Sequence, residues 1–229
     1  MLIAIDTATD LMAVALHDGD KVLYEQNWIA GKRHTVDLAP MIHQMLQACD
    51  VALDDLIGLA VCIGPGSYTG VRIGTALAKG MAAPRGLPLV GIDSLDILAA
   101  GQPYYQSGTG LVAVVAAGRG RVIVRSYRWR KGEWNSRAEP RLMEWDALLS
   151  TIDGAACITG EINQHGMEAI RAAQSADLPI TIAPAANRMR RAGYLAEIGW
   201  QRLHKAGGDL SAFAAEKLLP IYVKSDDKK

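Results

Sequence analysis

At 229 residues, half of them hydrophobic and 21% charged, the chain is long enough to bury one large core or two smaller ones. Its 24 basic and 24 acidic residues cancel, which argues against a protein that grips RNA through phosphates unaided. The opening MLIAIDTATD carries no cationic stretch before its apolar run and no window reaches the roughly 18 apolar residues of a membrane span. Cys49, Cys62 and Cys157 show neither metal-ligand spacing nor a disulfide framework, so a cytoplasmic chain with reduced thiols is expected.

In chain order, residues 2–6 read as a short apolar strand, followed by strands 12–17 and 21–28 joined by the Asp18-Gly19-Asp20 turn. A helix is expected from about Asp37, whose carboxylate is placed to cap a first turn containing Pro40. Leu38, Ile42, Met45 and Cys49 then recur at helical spacing. Residues 57–63 are a continuous apolar run, as in a strand covered on both faces. A glycine-rich loop leads to a helix over 71–83, a strand over 88–92 and a short helix over 94–100 with Ser94 as its cap. The second half repeats the order: strands 111–116, 121–129 and 133–138, helix 144–149, strand 156–159, helix 166–173, strand 179–182 and helix 188–205. This predicts an α/β protein of the duplicated actin-like and sugar-kinase architecture, the ribonuclease-H-like fold with two subdomains. The glycine- and proline-bearing stretch 101–110 marks the junction. One subdomain is expected over 1–103 with a C-terminal return over 208–224, the other over 104–207, and a disordered polar tail over 225–229.

The sharpest motif runs from Gly64 through Pro65, Gly66, Ser67, Tyr68, Thr69 and Gly70 to Val71, Arg72, Ile73 and Gly74, between an apolar strand and a helix. Such a loop offers free N–H groups at a helix N-terminus, where an anion is favoured. Spacing alone favours a tight strand-to-helix turn capped by Ser67 or Thr69 over a phosphate cradle or a shaped docking loop, and it is no Walker A loop, since no Gly-Lys-Ser/Thr follows. In the helix beyond, Val71, Gly74, Ala78 and Met81 share one face while Ile73, Leu77 and Gly80 lie nearly opposite. A surface helix has one apolar stripe, so the second face needs a partner, either another subunit or another layer of this chain. Asp6 closes the first strand, but Ala8 stands where a phosphate-binding turn of this architecture needs glycine, so Asp6 and Thr7 are expected to be structural. The five histidines are never paired four apart, and no Gly-x-Ser-x-Gly elbow occurs, so neither metal nor nucleophile chemistry is indicated.

The opening LIAIDTAT, His34-Thr35 with Leu38, Pro40 and Ile42, the element GPGSYTGVRIG and the closing Pro220-Ile221-Tyr222-Val223-Lys224 together resemble the bacterial TsaB (YeaZ) family. The resemblance implies a subunit without catalysis, metal or cofactor of its own. It would pair with a TsaD-type enzyme that forms threonylcarbamoyladenosine beside the anticodon of tRNAs reading codons that begin with A. A TsaE-type ATPase would join them. The chain alone would be a homodimer, would meet tRNA only through the complex and would not touch membranes. ATP or ADP would have a place only at the partner interface. The face implied by the likeness comprises His34, Thr35, Leu38, Ile42 and Met45 of the first long helix, with Tyr68, Val71, Arg72, Gly74, Thr75, Ala78 and Met81 of the second. Asp6, Thr7, Gly64, Gly66, Ser67, Thr69 and Gly70 form the loop region nearest any nucleotide. The alternatives are a small phosphotransferase or acyl-transfer enzyme of the same fold, or a metallopeptidase-like enzyme. One segment departs from the family: residues 116–121 read Ala-Ala-Gly-Arg-Gly-Arg where an Asp-Ala-Arg-like stretch is usual, so its charge contacts are not carried over.

Overall fold

The computed structural model describes residues 1–136 and 138–223. It divides into two compact units, residues 1–97 with 190–221, and residues 98–189 with 222 and 223. Arg137, which falls in the expected strand 133–138, and the tail expected at 225–229 lie outside the described residues.

The first unit is built on a five-stranded sheet of order β3-β2-β1-β4-β5. Its strands are β1 (Leu2–Asp6), β2 (Leu11–His17), β3 (Val22–Ile29), β4 (Gly58–Cys62) and β5 (Leu89–Ile92). β1, β2 and β3 pair antiparallel, whereas β1, β4 and β5 run parallel. Alternation along the strands gives the sheet two unlike faces. Ile3, Ile5, Met12, Val14, Leu16, Leu59 and Val61 point one way, toward helices α1 (His34–Ala48) and α2 (Tyr68–Ala82). Leu2, Ala4, Ala13, Ala15, Ala60 and Cys62 point the other way, toward α6 (Ala192–Lys205). This second face is rich in small residues, so α6 lies close: a Cβ placed on Gly199 would stand 2.6 Å from the Cβ of Ala60.

The second unit repeats the plan, with strand order β11-β10-β6-β7-β8. Its strands are β6 (Gly110–Ala116), β7 (Val122–Arg130), β8 (Glu133–Asn135), β9 (Arg141–Met143), β10 (Ala156–Gly160) and β11 (Ile180–Ile182). In both sheets the first strand of the unit lies between an antiparallel and a parallel neighbour. α4 (Trp145–Leu149) and α5 (Gln164–Ser175) pack their buried Trp145, Leu148 and Ile170 against Val112, Val114 and Val124 of the sheet.

Five expectations are corrected. The first long helix starts at His34 rather than Asp37; Asp37 is bonded to Arg33 at 2.8 and 3.1 Å, and Pro40 sits in the second turn. The strand foreseen at 133–138 is only three residues long, and β7 pairs through its first three residues with the unforeseen β9. The foreseen helix 188–205 begins at Ala192 and covers the first sheet, not the second, because its Ala192, Leu195 and Ala196 match the small-residue face of β1, β2 and β4. The junction falls within α3 (Ser94–Ala100), between Ile97 and Leu98, instead of in 101–110. Ser94 is no cap either: its hydroxyl donates to the Pro65 carbonyl at 2.6 Å, and the Asp93 carboxylate accepts the N–H of Leu95 at 2.7 Å.

Candidate functional site

Of the residues marked in sequence, Asp6, Thr7, His34, Gly66, Ser67, Gly70 and Gly74 converge on the turn between β1 and β2, residues 7–10. The glycine-rich motif is shaped around this turn. Added Cβ atoms on Gly66, Gly70 and Gly74 would stand 2.1 Å from the Ala8 carbonyl oxygen, 2.2 Å from the Thr7 carbonyl oxygen and 2.3 Å from Thr7 Oγ1. Real Cβ atoms do not come so close to a neighbour, so each glycine is required by the approach of the loop and α2 to the turn. The Ser67 N–H donates to the Ala8 carbonyl at 2.5 Å, and Thr7 Oγ1 donates to the Gly70 carbonyl at 2.7 Å. Ser67 is the cap of α2, its hydroxyl accepting the Gly70 N–H at 3.2 Å, while Thr69 is exposed. The far side of the loop is held by Ser94, whose N–H donates to the Gly64 carbonyl at 2.8 Å.

Asp6 is 1% exposed and both carboxylate oxygens are used. One accepts the Ala8 N–H at 2.8 Å, and the other accepts Arg190 Nε at 2.8 Å. Arg190, also 1% exposed, donates from its Nη2 to Thr9 Oγ1 at 2.6 Å. A phosphotransferase of this architecture would place a hydrated cation at such an aspartate. Here a guanidinium fills the position, so the donor set does not suit a metal, and among the described residues no group of three metal-ligating side chains is assembled. Cys62 lies in the same environment, and burial, with the Asp6 charge adding to it, pushes its thiol well up. His34, at the start of α1, bonds the Thr9 carbonyl through Nε2 at 2.8 Å. A carbonyl only accepts, so Nε2 carries the proton and His34 is a fixed donor.

The partner face anticipated from sequence does not survive as written. Of its twelve residues, His34, Leu38, Ile42, Met45, Val71, Gly74, Thr75 and Ala78 are buried within the unit itself, and Met81 is half-buried. Thr35, Tyr68 and Arg72 are exposed. The apolar stripe of α2 meets the sheet, and its opposite face, Ile73 and Leu77, packs against the cluster that α1 shares. The second face thus belongs to an internal layer. What α1 and α2 offer outward is a different register: Val36, Ala39 and His43 on α1, and Tyr68, Arg72, Ala76 and Gly80 on α2. Val36 is 59% exposed and Tyr68 56%, and the Arg72 guanidinium lies 3.8 Å above the Tyr68 ring.

Arg190 was not found from sequence. It stands in the run Asn187-Arg188-Met189-Arg190-Arg191, where three arginines look alike and only the fold selects one for burial. Its neighbour Arg191 bonds Glu25 of β3, whose carboxylate also accepts the Gly193 N–H at 3.0 Å at the start of α6. Burial opposes the charge on Glu25, but the Arg191 and Gly193 hydrogen bonds outweigh it and hold the carboxyl below its usual range.

The two mixed sheets, with a β1–β2 turn wrapped by a glycine-rich loop, define a duplicated actin-like α/β protein. The YeaZ structure from Pseudomonas aeruginosa has the same fold, with a TM-score of 0.77 over 97% of this chain and 99% of that one, at 23% identity. The model of the tRNA N6-adenosine threonylcarbamoyltransferase (TsaD) family matches residues 26–187. The chain belongs to this family. It is 38% identical over 132 residues to the tRNA threonylcarbamoyladenosine biosynthesis protein TsaB of Bacillus subtilis and 35% identical over 135 residues to that of Escherichia coli. These matches take in 57% and 58% of this chain, and it spans a little over half the length of both relatives, 56% and 58%. To a tRNA N6-adenosine threonylcarbamoyltransferase of Cereibacter sphaeroides it is 46% identical over 67 residues, 29% of this chain and 18% of that one.

Proposed function

We propose that this chain is a non-catalytic subunit of the machinery that makes threonylcarbamoyladenosine on tRNA, acting in the cytoplasm by pairing with a TsaD-type transferase. The observation that carries the reading is the β1–β2 turn. Arg190 takes the place of a cation at Asp6, and Gly66, Gly70 and Gly74 bring protein against Thr7 and Ala8 where this architecture otherwise admits phosphate. The names of its TsaB relatives support the pathway. Docking is assigned to the outward register of α1 and α2, around Val36, Tyr68 and Arg72, rather than to the buried stripe. In this reading a TsaE-type ATPase joins the pair, ATP or ADP binds only at the partner interface, and the chain alone forms a homodimer through the same face.

The test is light scattering on gel-filtered mixtures with the TsaD-type protein of the same organism. A one-to-one complex that displaces the homodimer is expected, and Val36→Arg and Tyr68→Arg should abolish it without shifting thermal unfolding. Absence of a complex, or steady ATP turnover by the isolated chain that Asp6→Ala removes, would overturn the reading.

A further inference from the structure

The net charge of zero hides a segregation. Residues 119–141 hold eight basic side chains against two acidic ones, Glu133 and Glu139, so the rest of the chain is correspondingly acidic. Most of this stretch is the ribbon β7–β8 with its turn at Lys131 and Gly132, both at positive φ (53° and 86°) as a two-residue hairpin turn requires. Alternation sorts the ribbon into two faces. Arg128 and Arg130 project on one, together with Arg141 of β9, which pairs with Val124; all three are exposed. Trp129 and Trp134, directly paired, project on the other.

The aromatic face is held rigid. The two tryptophan rings meet edge to face at 5.2 Å, Tyr104 stands 5.3 Å from Trp129, and Trp134 Nε1 donates to the carbonyls of Gln102 and Pro103 at 3.3 and 3.2 Å. Tyr104 is nonetheless 52% exposed. An acidic protein partner would be served by the arginines alone. A polyanion that also carries planar rings uses both faces, its phosphates on the arginines and its bases on the tyrosine.

We propose that the β7–β8 ribbon is a contact surface for RNA with unstacked bases. The inference rests on the function proposed above only for the identity of that RNA, the tRNA substrate of the partner enzyme.

The experiment titrates the full chain, alone and mixed with the transferase, with an unmodified tRNA transcript at several salt concentrations, read by tryptophan fluorescence and gel shift. The triple variant Arg128→Ala, Arg130→Ala, Arg141→Ala should weaken RNA binding about tenfold or more and flatten its salt dependence by about one unit of log–log slope for each phosphate no longer neutralised. Tyr104→Ala should weaken it by about tenfold with the slope unchanged. Both variants should unfold as wild type does and still assemble with the transferase. The proposal is overturned by wild-type protein that shows no salt-dependent RNA binding in either setting. It is equally overturned by variants of unchanged RNA affinity, or by a triple variant that loses the transferase and keeps the RNA. If wild type binds RNA but no transferase, the functional reading fails while the titration still decides the surface.

Discussion

Arg190 reaches Asp6 from 184 positions away in the chain, and the pair is sealed from water. Two charges taken out of water are held by their mutual bond and by further partners, Ala8 and Thr9 among them. Such a pair adds little net stability compared with apolar residues of the same shape, but removing one member strands the other. Arg190→Met should therefore cost roughly 3–5 kcal/mol, and the double variant Asp6→Leu, Arg190→Met considerably less. Urea unfolding of the three proteins measures this, and an Arg190→Met variant as stable as wild type would show that Asp6 has another counter-charge. The sequence made half of this legible. Ala8 in place of glycine already spoke against a phosphate turn, but the identity of the guanidinium did not follow from any local pattern. Long-range pairing is decided by where α6 enters the first sheet, not by spacing.

The helix α2 shows how one residue type serves opposite ends within a single element. Gly70 faces the Thr7 carbonyl, a backbone atom that cannot swing aside, whereas a Cβ on exposed Gly80 meets nothing within 4 Å. Glycine inside a helix costs about 1 kcal/mol relative to alanine. Gly80→Ala should then raise stability by about that amount, while Gly70→Ala lowers it despite the same gain in propensity, because the turn or the helix must shift to remove a 2.2 Å approach. Thermal unfolding of the two single variants gives opposite signs; like signs would mean that α2 can slide on the turn. Periodicity located the helix and the two unlike faces, and it could not say which of two apolar stripes meets the sheet. That ambiguity is why most of the residues expected at a partner face are buried within the unit. The sheet was decided by volume: Gly74 and Ala78 are small enough for close approach, and bulkier Ile73 and Leu77 fill the space toward α1.

At the scale of the chain, the repeat of strand order was visible in sequence, yet the elements do not sort into two consecutive halves. The first sheet takes its second layer from α6, whose Ala192, Leu195 and Ala196 are fully buried against the small-residue face. Fully burying a leucine contributes about 1.5–3 kcal/mol, and β1, β2 and β4 expose most of that face without the helix. Counting helices in sequence order assigned 188–205 to the nearest strands, because amphipathic spacing reports that a face is buried and not which sheet buries it. A chain ending at residue 189 keeps every strand of both sheets and should nevertheless fail to form the first unit. It is expected to aggregate or to unfold without cooperativity in that unit, and a separately supplied segment 190–223 should restore the transition. Hydrogen exchange resolved along the chain reads this directly: β1, β2 and β4 should be unprotected in the truncated chain and protected once the segment is added. Protection of these strands in the truncated chain alone would mean that α1 and α2 suffice to hold the sheet, and that α6 serves chiefly to bring Arg190 to Asp6.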